Sequence, residues 1–124
     1  IEGMDLSSHV SGSGGSEPAC AFLQNTGACA SWEDGHEWRA VRDKRFTYAV
    51  FRVDGKELLF DHEADPLELN ELSGDPSYRD VLLRLREQAR AKMEELGDGF
   101  EVSSFYREHW VSEDRLILKT AKNP

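Results

Sequence analysis

The sequence predicts an α+β fold: a small antiparallel sheet of about four strands wound as a meander, packed by one long C-terminal helix and preceded by a flexible N-terminal segment. Three observations carry that expectation. Runs rich in β-forming residues follow one another across tight turns between positions 37 and 61. Apolar residues then recur at helical spacing from Tyr78 to Leu96. The first 18 residues hold a Gly/Ser run with almost nothing to bury. Hydrophobic residues make up 39% of the 124, with six Phe, three Tyr and three Trp, which supports a modest core and excludes global disorder.

Residues Ile1–Pro18 read as a linker, because Ser11-Gly12-Ser13-Gly14-Gly15-Ser16 is flexible and polar. Ala19–Gln24 is short and apolar, as a buried strand is. Glu37–Arg42 alternates, with Trp38, Ala40 and Arg42 on one face and Arg39 and Val41 on the other. Asp43-Lys44 breaks the run, and Arg45–Val53 resumes it with Phe46, Thr47, Tyr48, Val50, Phe51 and Val53. Asp54-Gly55 is the hairpin signal, since Gly takes the positive φ of a tight turn, and Glu57–Asp61 follows as the next strand. Asp75 as N-cap and Pro76 in the first turn open the helix, and Gly97 ends it. Its stripe of Tyr78, Val81, Leu82, Leu85, Ala89, Met93 and Leu96 covers Phe46, Tyr48, Val50 and Leu59, or the neighbours on their opposite face. Phe100, Phe105, Tyr106, Trp110, Ile117 and Leu118 are expected to pack back onto this unit.

Charge narrows the function. There are 24 acids against 15 bases, a net charge of −9, so the mean field of the chain repels nucleic acid and anionic lipid. No apolar run reaches the ~20 residues of a membrane helix, and positions 1 onward show no signal-peptide pattern. The asymmetry is marked: six acids and no Lys or Arg lie between Ile1 and Trp38, and the remainder is near balance. A first residue of Ile1 rather than Met is what a piece of a longer chain would show.

No self-contained catalytic site is expected. Cys20 and Cys29 stand nine apart, too far for a Cys-x-x-Cys unit; a disulfide is geometrically open, and free inert thiols are the expectation. His9, His36, His62 and His109 are scattered, without the spacing of a zinc site. Asp61, Glu63 and Asp65 alternate but lack the Gly and terminal Glu of a calcium loop. There is no phosphate loop and no nucleophile elbow.

The run Glu37–Tyr48, reading Glu-Trp-Arg-Ala-Val-Arg-Asp-Lys-Arg-Phe-Thr-Tyr, resembles the first hairpin of the C-terminal subdomain of the sulfatases of the alkaline phosphatase superfamily, an arylsulfatase-like family. Glu57–Pro66 and Leu67–Leu72 resemble their Glu-Leu-Tyr-Asp-x-x-x-Asp-Pro run and its x-Glu-x-x-Asn-Leu continuation, with Glu71 as an extra residue. Gly97-Asp98-Gly99-Phe100 resembles Gly-Asp-x-Phe after the long helix, and Gly3–Ser7 resembles the close of the catalytic domain. The motifs keep family order over about Gly3–Trp110.

The resemblance implies three segments: a crossover at 1–18, a subdomain at 19–110 and a tail at 111–124. It implies a parent sulfuric ester hydrolase using calcium and a formylglycine formed within Cys-x-Pro-x-Arg. Neither Cys20 nor Cys29 lies in such a sequence, so the fragment itself supplies no catalytic residue, no metal ligand and no cofactor. Its implied partner is the parent's catalytic domain, and a unit parted from that domain exposes an apolar face through which it can self-associate. A free-standing, non-catalytic interaction module is the alternative. The loop before the first hairpin, Trp32 to His36, is the candidate substrate-binding edge: an aromatic ring stacks on a sugar or aryl ring and an imidazole donates to an anionic ester. The same stretch reads equally as a surface loop without contacts. Asp61, Asp65 and Pro66 are expected to hold a turn, and Arg39 and Arg42 to pair with Asp43, Asp61 or Glu63.

Overall fold

The computed structural model describes residues 6–15, 17–25, 37–102, 111–112 and 115–116. Four strands form one sheet in chain order: β1 Ala21–Asn25, β2 Trp38–Arg42, β3 Phe46–Phe51 and β4 Glu57–Asp61. Every neighbouring pair is antiparallel, so the expected meander is present. One element departs from the linker reading: α1, a single helical turn at Ser7–Val10, buries none of its residues. A two-residue ladder joins β5 Val111–Ser112 to β6 Arg115–Leu116 within the expected tail. The residues expected to pack back at 105, 106, 110, 117 and 118 lie outside the described residues.

Turn chemistry fixes the register. The Asp43 carboxylate accepts the N–H groups of Arg45 and Phe46 at 2.8 and 2.6 Å, closing the β2–β3 corner. Gly55 has φ +66° in the β3–β4 turn, a conformation that favours residues without a Cβ. The outer edge of β4 is sealed by the segment after it. Leu59 donates to the Glu71 carboxylate at 3.0 Å, Leu72 donates to the Leu59 carbonyl at 2.9 Å, and the Ser73 hydroxyl donates to the Glu57 carbonyl at 3.2 Å.

The helix begins as the sequence predicts. Asp75 accepts the Ser77 N–H at 2.8 Å, a 3₁₀ turn spans Pro76–Tyr78, and α2 runs from Arg79 to Leu96. Gly97, at φ +63°, ends it, and Asp98 N–H bonds back to the Met93 carbonyl at 2.8 Å. Leu82, Leu85 and Ala89 are the buried stripe of α2. They pack against Val41, Phe46, Tyr48 and Leu59, with Phe22 and Val50 partly buried beside them. Register explains the choice of face: Phe22, Val41, Tyr48 and Leu59 form one cross-strand row on the helix side. Leu23, Ala40, Ala49 and Leu58 form the adjacent row on the opposite side. No helix among the described residues is long and apolar enough to cross a membrane.

Candidate functional site

Trp32 and His36, the predicted substrate-edge residues, lie outside the described residues, as do Cys29 and His109. The base of the segment that carries Trp32 and His36 is described. Asn25, closing β1, pairs with Trp38, opening β2, and the buried Glu37 accepts the Arg52 N–H on its carbonyl at 3.0 Å. Arg39, fully buried on the helix side of β2, ties this base together. One guanidinium nitrogen donates to the carbonyls of Asn25 and Trp38, each at 3.1 Å. The other two donor groups, Nε and Nη2, make a fork to the Asp98 carboxylate, with Nη2 at 2.9 Å.

The chain just past α2 is shaped to receive that cation. Gly97 turns the backbone, Asp98 follows at once, and Phe100 adopts φ +57° while donating its N–H to Asp98 at 2.9 Å. The Phe100 ring then lies 4.7 Å from the Arg39 guanidinium carbon, a cation–π contact in a site closed to water. Gly97–Phe100 is therefore the receptor for a buried arginine. Aromatic, acid and turn residue each have a separate task in it.

This corrects the expected ion pairs. Arg39 pairs with Asp98, and Arg42 lies 3.5 Å from Glu68 on the surface. Asp43 instead meets Arg84 at 2.9 Å, and Asp61 and Glu63 both meet Arg45. The reason is register: Arg39 sits near the start of β2, whereas Asp43 lies four strand positions on, about 13 Å away.

Asp61 and Asp65 hold the turn after β4, as expected. Asp61, fully buried, takes two bonds from Arg45, at 3.0 and 2.7 Å, and the N–H groups of Glu63 and Ala64 at 3.1 and 3.3 Å. Asp65 accepts the backbone and side-chain amides of Asn70 at 2.7 and 3.0 Å. Their oxygens accept the hydrogen bonds that close this turn. Among the described residues no group of three or more His, Cys, Asp or Glu is placed to hold a metal ion. Cys20 carries a free, half-buried thiol.

Arg45 holds the Asp61 carboxyl below its ordinary 3.8, and Arg86, bonded at 2.8 and 2.7 Å, holds Glu57 below its ordinary 4.5. Burial pushes the Tyr48 hydroxyl well up, and it donates to Glu57 at 2.6 Å. The two carboxyls take up protons more readily in the unfolded chain than in the folded one. Their contribution is complete above the ordinary carboxylate range and is lost as pH falls below about 4, through the lower folded values. The urea midpoint is expected to drop between pH 5 and pH 3. An unchanged midpoint would show that these pairs add nothing to stability.

The opposite sheet face gathers a second polar group. Arg42, Thr47 and Phe60 form one row there, with His62 just beyond. Thr47 Oγ1 and His62 Nε2 share a 2.7 Å hydrogen bond, and His62 Nδ1 lies 3.4 Å from Glu68. Glu68 holds φ +53° to reach both His62 and Arg42, and its neighbours Leu67 and Leu69 are 76% and 77% exposed.

No family model matches the chain. An ulvan-active sulfatase of Formosa agariphila is 32% identical over 106 residues, covering 86% of this chain and 20% of the relative. The chain is a sulfatase homologue. Solved structures share the fold. A Bacteroides thetaiotaomicron protein assigned to the sulfatases superposes with a TM-score of 0.71 at 22% identity, covering 80% of this chain and 21% of the other. A 2-O GAG sulfatase matches equally well, with a TM-score of 0.71 over 80% of this chain and 21% of its own. A Bacteroides fragilis protein assigned to the sulfatases gives 0.61 at 23% identity, covering 78% of this chain and 20% of that one. The homologue thus spans about a fifth of the length of these relatives.

Proposed function

We propose that the chain is the C-terminal subdomain of a sulfatase, a sulfuric ester hydrolase, and that it packs against the catalytic domain and edges its active site without supplying the nucleophile. The observation that carries this reading is the match to one fifth of a sulfatase, with the matched unit built on the Arg39–Asp98–Phe100 junction. The chemistry agrees. Neither cysteine lies in Cys-x-Pro-x-Arg, and the described carboxylates are engaged in turns and ion pairs. In this reading calcium and formylglycine chemistry is the task of the catalytic domain. Trp32 and His36 serve as a rim for the bound ester, on a segment whose base is fastened by Arg39.

Two kinetic assays test the reading. The purified chain should hydrolyse no aryl sulfate, with calcium added or chelated; turnover by the chain alone would overturn it. In the enzyme that contains this chain, the Trp32→Ala/His36→Ala pair should raise KM roughly tenfold while kcat holds, the signature of lost binding that is uniform between ground and transition states. An unchanged KM removes the rim role.

A further inference from the structure

We propose that the hollow between the Ser73–Pro76 turn and the first two turns of α2 is a binding site for an anionic sugar, a hexose carrying a sulfate or carboxylate group. The hollow has a volume of about 320 Å³, enough for a small ligand. Gly74, Asp75, Pro76, Arg79, Leu83 and Arg86 line it. Arg79 and Arg86 are seven residues apart, nearly two full turns, so both stand on the same side of the helix.

Arg79 carries the inference. The other cations of α2 hold carboxylates: Arg84 meets Asp43, Arg86 meets Glu57, Arg90 meets Glu87 and Glu94, and Lys92 meets Glu95. Arg79 is exposed and has no such partner among the described residues. The Gly74 N–H has no acceptor among them either, and open space lies where a Cβ would stand, so an oxygen can approach that amide. An exposed guanidinium and a free backbone N–H in one hollow are donors that a sulfate or carboxylate takes.

The rest of the lining suits a ring rather than a bare ion. Asp75 accepts the Ser77 N–H on Oδ1 at 2.8 Å, and Oδ2 is left to accept a sugar hydroxyl. Pro76 and Leu83, the latter 46% exposed, offer an apolar wall to the C–H face of the ring. Arg86, held by Glu57 at 2.8 and 2.7 Å, fixes the far side. Glu57 and Asp75 offset Arg86 and Arg79, and the chain as a whole carries −9, so a free inorganic anion gains little here. The first amides of the helix take no part. Asp75 already caps them, its side chain taking Ser77 N–H and its carbonyl taking Tyr78 N–H at 3.0 Å.

The test is proton–nitrogen correlation NMR of the chain, titrated with glucose 6-sulfate, glucuronate, glucose and sodium sulfate. Both anionic sugars should shift the Gly74 amide and the Arg79 Nε–H along one saturation curve. Glucose and sodium sulfate should each bind roughly tenfold more weakly, one lacking the charge-assisted contact and the other the ring. Arg79→Gln should weaken glucose 6-sulfate binding by a similar factor, about tenfold. Asp75→Ser, which keeps an N-cap oxygen, should weaken it as well, whereas Arg90→Gln, outside the hollow, should leave it unchanged. A sodium sulfate midpoint equal to that of glucose 6-sulfate overturns the sugar, and an equal glucose midpoint overturns the need for charge. No shift at Gly74 with either anionic sugar, or an unchanged midpoint in Arg79→Gln, overturns the site outright. None of these readouts depends on sulfate hydrolysis, so the result stands apart from the sulfatase reading.

Discussion

Asp98→Ala is expected to lower the unfolding free energy of the chain by about 3–5 kcal/mol, the loss typical when one partner of a buried ion pair is removed. Arg39 is fully buried and Asp98 nearly so, at 0% and 7% side-chain exposure. The substitution leaves the guanidinium in a dry site without the carboxylate that Asp98 supplies. It also removes the acceptor that holds the Phe100 N–H, so the aromatic cover over the cation loosens with it. Urea titration followed by far-UV circular dichroism reads the effect. The double variant Arg39→Met/Asp98→Leu should recover part of the loss, since an apolar pair of similar volume needs no desolvated charge. Recovery stays partial because the Asn25 and Trp38 carbonyls lose the Arg39 donor. A loss below about 1 kcal/mol for Asp98→Ala, the range of exposed pairs, would mean that the junction is solvated.

Leu85→Ala is expected to remove about 2–5 kcal/mol, through lost apolar burial and the cavity left behind. Leu85 is wholly inaccessible at the centre of the α2 stripe, against the row of Val41, Tyr48 and Leu59. Leu67→Ala supplies the contrast. That side chain is 76% exposed, so in the isolated chain its truncation should change stability by no more than about 0.5 kcal/mol. Equal effects at the two positions would contradict the helix-on-one-face architecture.

The architecture was legible because its causes are local. Alternation in Glu37–Arg42, the β-forming residues of Arg45–Val53, the Asp54-Gly55 turn, the Asp75-Pro76 start and the Gly97 stop each act over a few residues. The Arg39 partner was not legible, because Asp98 lies 59 residues away and nothing in local spacing favours it over nearer acids. The Gly97–Phe100 run was conspicuous in the sequence, but its task as an arginine receptor appears only once α2 places its C-terminal end beside β2. His62 shows the same limit. As one of four scattered histidines it carried no signal, and pairing of β3 with β4 brings it to Thr47 and Glu68. The proposed rim of Trp32 and His36 was read from the resemblance and the chemistry of those two side chains, and both lie outside the described residues.

Catalytic competence of a chimera tests the central claim most directly. The Formosa agariphila sulfatase carrying this chain in place of its matched segment should hydrolyse its sulfate ester, and Asp98→Ala within the graft should abolish the gain. The same enzyme with the segment deleted should be inactive. Full activity of the deleted enzyme, or a graft that folds and stays inactive, would contradict the account of this chain as a sulfatase subdomain.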